Sequence, residues 1–144
     1  MSGSDEFPAY AVHYDYRVDI LRRRNRVTAT LDGVEIAASE RTLLVDEQDH
    51  GLVFYFPVRD VHLDRLAEMP ERSSTCPWKG TARYWRSAQG AEPIAWAYPE
   101  PKPEVATIRD HIAFYQNKVT VSVGTAPYLP PRPGAQKQQG GRTP

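Results

Sequence analysis

Hydrophobic and polar residues alternate along most of the central chain, which is typical of strands that bury one face of a sheet. Tyr16, Val18 and Ile20 lie on one face of such a strand, with Arg17 and Asp19 on the other. Further segments with strand character are 27–31, 34–37, 42–45, 52–56, 81–87, 94–98, 112–115 and 119–123. The pattern predicts about eight short antiparallel strands in two packed sheets.

Turn residues connect these strands in pairs. Asp32-Gly33 supplies the positive φ that a two-residue hairpin turn requires. The polar segment 46–51 forms a second hairpin loop, and Pro57 ends the strand after it, because proline has no amide hydrogen to donate. Gln89-Gly90 joins the next pair, and residues 116–118 are predicted to join the last two strands as a hairpin.

Helical signals are few. Asp60 can cap a short helix that runs to about Met69 and is closed by Pro70. One more helical turn is predicted over residues 104–109. Because strands do not alternate with long helices, the pattern argues against βαβ units and predicts a mainly β fold.

A chain of 144 residues is long enough for one domain with a single core. We expect this domain to span residues 10–124, after a flexible N-terminus at 1–9. Residues 125–144 are rich in proline, glycine and glutamine and are expected to be disordered, since they cannot bury enough apolar surface to fold. Within them, residues 128–133 can form a polyproline helix that recruits a partner. A non-catalytic interaction module is therefore one functional hypothesis.

Charge and hydropathy restrict the partners. The 18 basic and 18 acidic residues balance, so no overall field attracts nucleic acid or anionic lipid. The basic run 22–26 has no interleaved aromatic residue, and nucleic acid is not the expected partner. No apolar run approaches the roughly 18 residues that span a bilayer, and the N-terminus has no apolar signal core, so we expect no membrane association and a cytoplasmic protein.

The segment 75–85 concentrates residues with special chemistry. A lysine held between Trp78 and Gly80 can bind a phosphate or carboxylate of a ligand, or it can pair with an acid such as Glu47 or Asp60. Cys76 is a candidate nucleophile if Lys79 lowers its pKa, and a buried structural thiol otherwise. Since it is the only cysteine, the chain can form no internal disulfide or cysteine-rich zinc site, and no metal or cofactor is expected.

Aromatic residues form a second candidate feature of the predicted β region. Its members are Tyr55, Phe56, Trp78, Tyr84, Trp85, Trp96, Tyr98, Phe114 and Tyr115. Successive residues of a strand point to opposite faces, so Tyr84 and Trp85 are separated, as are Tyr55 and Phe56. Part of the set therefore belongs to the core, and the remainder can line a cleft in which a flat ligand stacks.

Six blocks of sequence, in order, resemble the bacterial family called domain of unknown function 427, which is sometimes labelled nucleotidyltransferase-like. The blocks are 33–39, 44–47, Tyr55-Phe56-Pro57 with Asp60-Val61, 76–84, 96–99 and 112–115. Together they extend over roughly residues 17–124, and Cys76-Pro77-Trp78-Lys79-Gly80 is the most specific.

The resemblance implies a β-tent fold, in which two antiparallel sheets meet along one edge and open at the other. It also implies functional residues at Glu47, Tyr55, Asp60, Cys76, Lys79, Gly80, Tyr84, Trp96, Tyr98 and Tyr115. Trp78 stands where tyrosine is commoner in the family, and Ala38 where aspartate is common. Nucleotidyl transfer uses metal ions held by carboxylates, typically two acids two residues apart on a strand beside a Gly-Ser turn, and the sequence has no such arrangement.

The favoured hypothesis is a small-molecule-binding β domain. Its cleft is expected to collect aromatic residues around Lys79 and Glu47. The ligand-binding set is Glu47, Tyr55, Asp60, Trp78, Tyr84, Trp96, Tyr98 and Tyr115. The alternative from a different class is an enzyme that uses Cys76 or Lys79 in transferase or redox chemistry.

Overall fold

A computed structural model describes residues 15–124. Within them the strands are β1 (Val18–Arg22), β2 (Val27–Leu31), β3 (Val34–Ser39), β4 (Leu43–Glu47), β5 (Gly51–Pro57), β6 (Leu66–Cys76), β7 (Gly80–Ser87), β8 (Pro93–Ala97), β9 (His111–Phe114) and β10 (Thr120–Val123). Short 3-10 helices lie at Val58–Asp60, Leu63–Arg65 and Pro103–Ile108. The predictions of a flexible N-terminus at 1–9, a disordered tail at 125–144 and a partner-binding segment at 128–133 fall outside the described residues.

The strands form two antiparallel sheets, which confirms the predicted mainly β fold. The large sheet has seven strands in the order β1-β4-β5-β9-β8-β7-β6, and the small sheet has three in the order β10-β2-β3. Asp32 and Gly33 have φ angles of 51° and 79° in the β2–β3 turn, as the tight hairpin requires. The β4–β5 and β7–β8 pairs also form, and β5 ends at Pro57. In residues 15–124, no helix is long and apolar enough to span a membrane.

Two predictions about individual elements are wrong. β9 and β10 do not form a hairpin: β9 lies between β5 and β8, whereas β10 pairs with β2 in the small sheet. The turn at 116–118 instead carries the chain from one sheet to the other. Alternation identifies a strand and its buried face, but it does not specify which neighbour completes the hydrogen bonds.

The predicted helix from Asp60 to Met69 is the second error. Two single 3-10 turns occupy its start, and β6 runs from Leu66 to Cys76. Pro70 is tolerated within β6 because that strand is at the edge of the large sheet and its register with β7 is interrupted between Glu68 and Ser73. The helical turn predicted at 104–109 is confirmed at Pro103–Ile108.

The two faces of the large sheet carry different clusters. One face packs on the small sheet, where Phe56, Ile112 and Phe114 meet Val27 and Ile36; we call this cluster the inter-sheet core. The other face, the cleft face, packs around Leu43, Val45, Tyr55, Ala82, Tyr98, Val105, Ile108 and Ala113. Adjacent residues of one strand therefore belong to different clusters, as the period of two requires.

Candidate functional site

A row of residues crosses the cleft face from β5 to β7. Tyr55 lies opposite Ala113, Ala113 opposite Trp96, and Trp96 opposite Tyr84. Directly opposed residues of antiparallel strands have side chains on the same face. Consequently, three aromatic side chains from three strands stand side by side, with the small side chain of Ala113 between Tyr55 and Trp96.

The rings of this row are fixed by contacts with one another. The indole Nε1 of Trp96 donates a hydrogen bond of 3.2 Å to the hydroxyl of Tyr55, with the rings edge to face at 6.3 Å. The Tyr115 ring also packs edge to face on Trp96, with 5.0 Å between centroids and 68° between planes. Tyr84 shares a 2.6 Å hydrogen bond with Ser74 of β6. Such contacts restrict the rotamers of large side chains, so the aromatic surface is rigid before any ligand arrives.

Lys79 lies in the turn that joins β6 to β7, and its backbone is held on both sides. Its amide donates to the Cys76 carbonyl at 3.3 Å, and its carbonyl accepts from Lys102 at 3.0 Å. Gly80 follows with φ of +124°, and a β-carbon there would lie 3.1 Å from the Glu100 carbonyl oxygen. Glycine is therefore required for this close approach, which sets the direction in which the lysine side chain leaves the turn.

The ammonium group of Lys79 forms an ion pair with Oε1 of Glu47 at the end of β4. Both residues are buried, with exposures of 8% and 6%. Three strands separate β4 from β7 in the large sheet, so in a flat sheet they would be roughly 19 Å apart. The sheet must therefore coil strongly to bring these two positions together, and the space that it encloses is the cleft.

Tyrosine and histidine side chains complete the surroundings of Glu47. The hydroxyl of Tyr16 donates a hydrogen bond to Oε2 of Glu47, and the exposed His50 places Nε2 at 3.8 Å from the same oxygen. The Lys79 ammonium also lies 5.8 Å from the centre of the Tyr98 ring. The carboxylate thus has a partner on each oxygen, which is the condition under which a buried charge is tolerated.

Burial raises the pKa of phenols at and beside the cleft, which strengthens their hold on the proton. Desolvation raises the pKa of Tyr98 above its ordinary value of 10.0, and the nearby charge of Glu47 acts in the same direction. Desolvation likewise raises the pKa of Tyr55. For Tyr16, desolvation and the hydrogen bond to Glu47 both raise the pKa. At neutral pH these groups are therefore hydrogen-bond donors as well as aromatic surfaces.

The rings and the ion pair border a cavity of about 670 Å³. Its aromatic residues, which together define the aromatic cleft, are Tyr55, Trp78, Tyr84, Trp96, Tyr98 and Tyr115. Glu47, Cys76 and Lys79 line the same cavity, and Cys76 is half-buried. The volume falls in the range of small-molecule sites. The candidate residues of the sequence analysis thus lie around one space, apart from Asp60.

Asp60 lies at a different cavity, so its grouping with the aromatic cleft is corrected. This second cavity, of about 450 Å³, is lined by Arg24, Arg26, Ala38, Ser39, Glu40, Arg41 and Asp60. Asp60 accepts a 2.5 Å hydrogen bond from the Ser39 hydroxyl and pairs with Arg41 at 3.2 Å. Burial raises the pKa of Asp60, but these partners outweigh it, and the net pKa is lowered. A turn after β5 carries Asp60 off the cleft face, which sequence proximity to Tyr55 does not reveal.

Four further residues at or beside the cleft were not singled out by sequence reasoning. They are Tyr16, His50, Gln116 and Asn117. For Tyr16 a signal was present, because it shares the phase of Val18 and Ile20, which pack against the cleft face. Gln116 gives no such signal: it is held by backbone contacts to β5, accepting from Phe54 at 3.2 Å and donating to Leu52 at 3.2 Å.

Residues 15–124 contain no group of three or more His, Cys, Asp or Glu side chains placed to hold a metal ion. Among the residues that line the cleft, Glu47 supplies a carboxylate, Lys79 supplies an ammonium group, and several tyrosines supply phenols among flat rings. Chemically, this arrangement can stack a planar group and hydrogen-bond its edge.

Comparison with known proteins identifies the family of the chain. A family model described as domain of unknown function (DUF427) matches residues 19–125. That match extends over well more than half of the 144 residues, so the chain belongs to this family. A search of curated proteins gives no significant match.

Proposed function

We propose that this member of the DUF427 family binds a small, flat and polar molecule in the aromatic cleft. The observation that carries the proposal is the buried Lys79–Glu47 ion pair beneath rigid aromatic walls. Replacing a buried ion pair by apolar residues is often neutral or stabilising, so such a pair is weak evidence for a role in stability. Its place on the cavity wall supports a role in recognition instead.

The charges of the cleft indicate the kind of ligand. The ammonium of Lys79 is compensated by the carboxylate of Glu47, so the cleft presents a donor and an acceptor without a large net field. A polyanion gains little there, because it would have to compete with Glu47 for the lysine. A neutral heterocycle with donors and acceptors on its edge can bond to both while it stacks on Trp96 or Tyr115.

A thermal-shift screen of purine and pyrimidine bases, nucleosides and nucleotides tests this proposal on the full chain. We expect at least one compound to raise the melting temperature, since a ligand at 100 times its Kd stabilises the fold by about 2.7 kcal/mol. Lys79→Ala should abolish that shift. The matched control is Arg41→Ala, which also removes a cation paired with a carboxylate but at the Asp60 cavity, and it should leave the shift intact.

Two results would contradict the proposal: a screen without a stabilising compound, or shifts that Lys79→Ala does not reduce. Should Lys79→Ala fail to fold, Tyr115→Leu provides a second variant at the partly exposed rim of the cleft. It removes one stacking ring and should weaken the same compounds at least tenfold by isothermal titration calorimetry.

A second candidate function, an enzyme that uses Cys76 as a nucleophile, is favoured by one observation. Cys76 lines the aromatic cleft and is half-buried, so a ligand in the cleft can reach its thiol. Iodoacetamide at pH 7, followed by mass spectrometry, tests this candidate. Labelling of the folded chain faster than that of the urea-unfolded chain supports an activated thiol, and slower labelling excludes it. The proposed setting is the bacterial cytoplasm, where an unpaired thiol stays reduced.

A further inference from the structure

Tyr16 already uses both recognition features of the cleft. Its ring is stacked on Trp78 at 3.8 Å between centroids and within 7° of parallel. Its hydroxyl donates a hydrogen bond to Oε2 of Glu47, the oxygen not bonded to Lys79. A planar ring with a donor on its edge is therefore what this part of the cleft accommodates in the described structure.

We propose that Tyr16 holds the place of the ligand's ring, and that the ligand is a planar ring bearing an O–H or N–H donor. In the complex, the ligand's ring stacks on Trp78 and its donor bonds to Glu47. The Tyr16 side chain rotates away from both groups. This inference rests on the proposed function and narrows its ligand class to donor-bearing rings without negative charge.

The position of Tyr16 in the chain makes its side chain displaceable. The pairing of β1 with β4 begins after it, where Val18 lies opposite Glu47. The backbone beside Tyr16 is fixed separately, because the Gln48 amide donates to the Arg17 carbonyl at 3.0 Å and the Arg17 amide to the Gln48 side chain at 2.9 Å. A rotation of the Tyr16 side chain therefore breaks its ring stack and phenol hydrogen bond without disturbing the sheet.

The chemistry of Glu47 selects a donor. One carboxylate oxygen accepts from Lys79 and the other faces Tyr16. A ligand with only acceptors would leave that second oxygen buried without a hydrogen bond, since Nε2 of His50 is 3.8 Å away, and an anionic ligand would also be repelled by it. Tyr16 itself satisfies the oxygen because its phenol stays protonated, consistent with the raised pKa of this group.

Occupation by Tyr16 reduces the affinity of the free cleft. A ligand binds only to the fraction of molecules in which the side chain has moved away, so its apparent Kd increases as that fraction falls. Removal of the ring should therefore strengthen the binding of any ligand that takes its place. Ligands that bind elsewhere in the cleft should not respond.

Calorimetric titration of wild-type protein and Tyr16→Ala with p-cresol and toluene tests the inference. Both probes are planar rings of similar size, and only p-cresol has a donor. We expect Tyr16→Ala to bind p-cresol at least tenfold more tightly than wild type does, and at least tenfold more tightly than it binds toluene. Tyr84→Ala, which removes a cleft tyrosine bonded to Ser74, is the matched control and should show no such gain.

Equal binding of p-cresol and toluene to Tyr16→Ala, or no gain over wild type, would overturn the inference. Screen compounds that depend on Lys79 but bind equally well with and without Tyr16 would overturn it and leave the proposed function standing. If neither wild type nor Tyr16→Ala binds p-cresol, the inference is overturned, and if neither binds any screen compound either, the proposed function is contradicted as well. If Tyr16→Ala does not fold, Tyr16→Leu, which keeps an apolar side chain there, replaces it with the same expectations.

Discussion

The same strands form both faces of the seven-stranded sheet, but the two faces differ in the chemistry of their side chains. On β5, Phe56 enters the inter-sheet core, whereas its neighbour Tyr55 faces the aromatic cleft. On β9, Phe114 and Ala113 divide in the same way. The inter-sheet core is built from aliphatic residues and phenylalanines, while the cleft face has a buried ion pair and hydroxyl-bearing rings. Burial of apolar side chains on one face thus stabilises the fold, whereas the other face also buries polar groups that a ligand can reach.

The largest expected effect comes from truncating the apolar face. Phe114 is fully buried and packs edge to face on Phe56 at 5.4 Å, so Phe114→Ala should reduce the free energy of unfolding by about 3–5 kcal/mol. Its neighbour Tyr115 lies at the cleft rim, so Tyr115→Ala should cost far less and instead weaken ligand binding. Urea denaturation of both variants measures the difference. Equal losses would mean that the two faces do not divide stability from recognition.

The next effect concerns the ion pair. Lys79→Met leaves the buried carboxylate of Glu47 without its cation, and breaking a buried pair in this way costs about 3–5 kcal/mol. We place Lys79 at the lower end of that range, because Tyr16 still donates to Glu47. The double variant Lys79→Met/Glu47→Leu should recover most of the stability, since no unpaired charge remains. It should still bind none of the compounds found with wild type.

A double variant as unstable as Lys79→Met would contradict this distinction, because the pair would then be a structural requirement. The control is Arg83→Met with Glu68→Leu, which removes the 2.7 Å pair between β7 and β6, whose side chains are 37% and 44% exposed. Exposed pairs contribute about 0–1 kcal/mol, so that double variant should remain near wild type in urea denaturation.

Strand alternation was sufficient to predict the division between the faces. Tyr55 and Phe56 are separated, as the sequence analysis expected, and so are Tyr84 and Trp85. The mainly β architecture with two antiparallel sheets followed from the same periodicity and from turn residues such as Asp32-Gly33. These features depend on residues close together in the chain, which a sequence displays directly.

Features that depend on contacts between residues far apart in the chain could not be predicted from the sequence. β10 pairs in the small sheet and not with its expected partner, and β6 begins at Leu66, within the helix that was expected to run from Asp60 to Met69. Asp60 lines the second cavity and not the aromatic cleft. Each outcome depends on which strands pair with one another in the two sheets, and such pairing overrides the local propensity of a segment. The resemblance to a family identified most of the residues around the cleft. The alternation placed Tyr16 in phase with Val18 and Ile20, but its stack on Trp78 and its hydrogen bond to Glu47 appear only in the structure.

Alkaline pH should affect the cleft face and spare the inter-sheet core. Burial raises the pKa of Tyr98 above 10.0, so the unfolded chain releases this proton first as pH rises. The stabilisation is complete below about pH 10 and is lost above it. Tyr98→Phe should therefore flatten the decline of unfolding free energy above pH 10 by up to about 1.4 kcal/mol per pH unit. An unchanged slope in urea titrations from pH 9 to 11.5 would contradict it, and Phe114→Ala is the control.

The smallest effect is expected at Asp60, which belongs to neither cluster. Its pKa is lowered in the folded state by Ser39 and Arg41 against the opposing effect of burial. A lowered pKa stabilises the fold above the ordinary value of 3.8, and that contribution disappears as pH falls through the folded-state pKa. Asp60→Asn should therefore be less stable than wild type at pH 7, by about 1 kcal/mol or less, and the gap should close in acid.

Arg41→Ala provides the control for Asp60, because the Arg41 side chain is 58% exposed and contributes only part of the pKa shift. In an Arg41→Ala background, Asp60→Asn should therefore reduce the free energy of unfolding at pH 7 by a smaller amount than in wild type. The reduction should not vanish, since Ser39 still donates to the carboxylate. Neither variant should alter the binding of cleft ligands. If Asp60→Asn weakened that binding as strongly as Tyr115→Leu does, the second cavity would be coupled to the aromatic cleft. Ligand binding would then depend on residues outside the cleft face, and the division between the two faces would not hold.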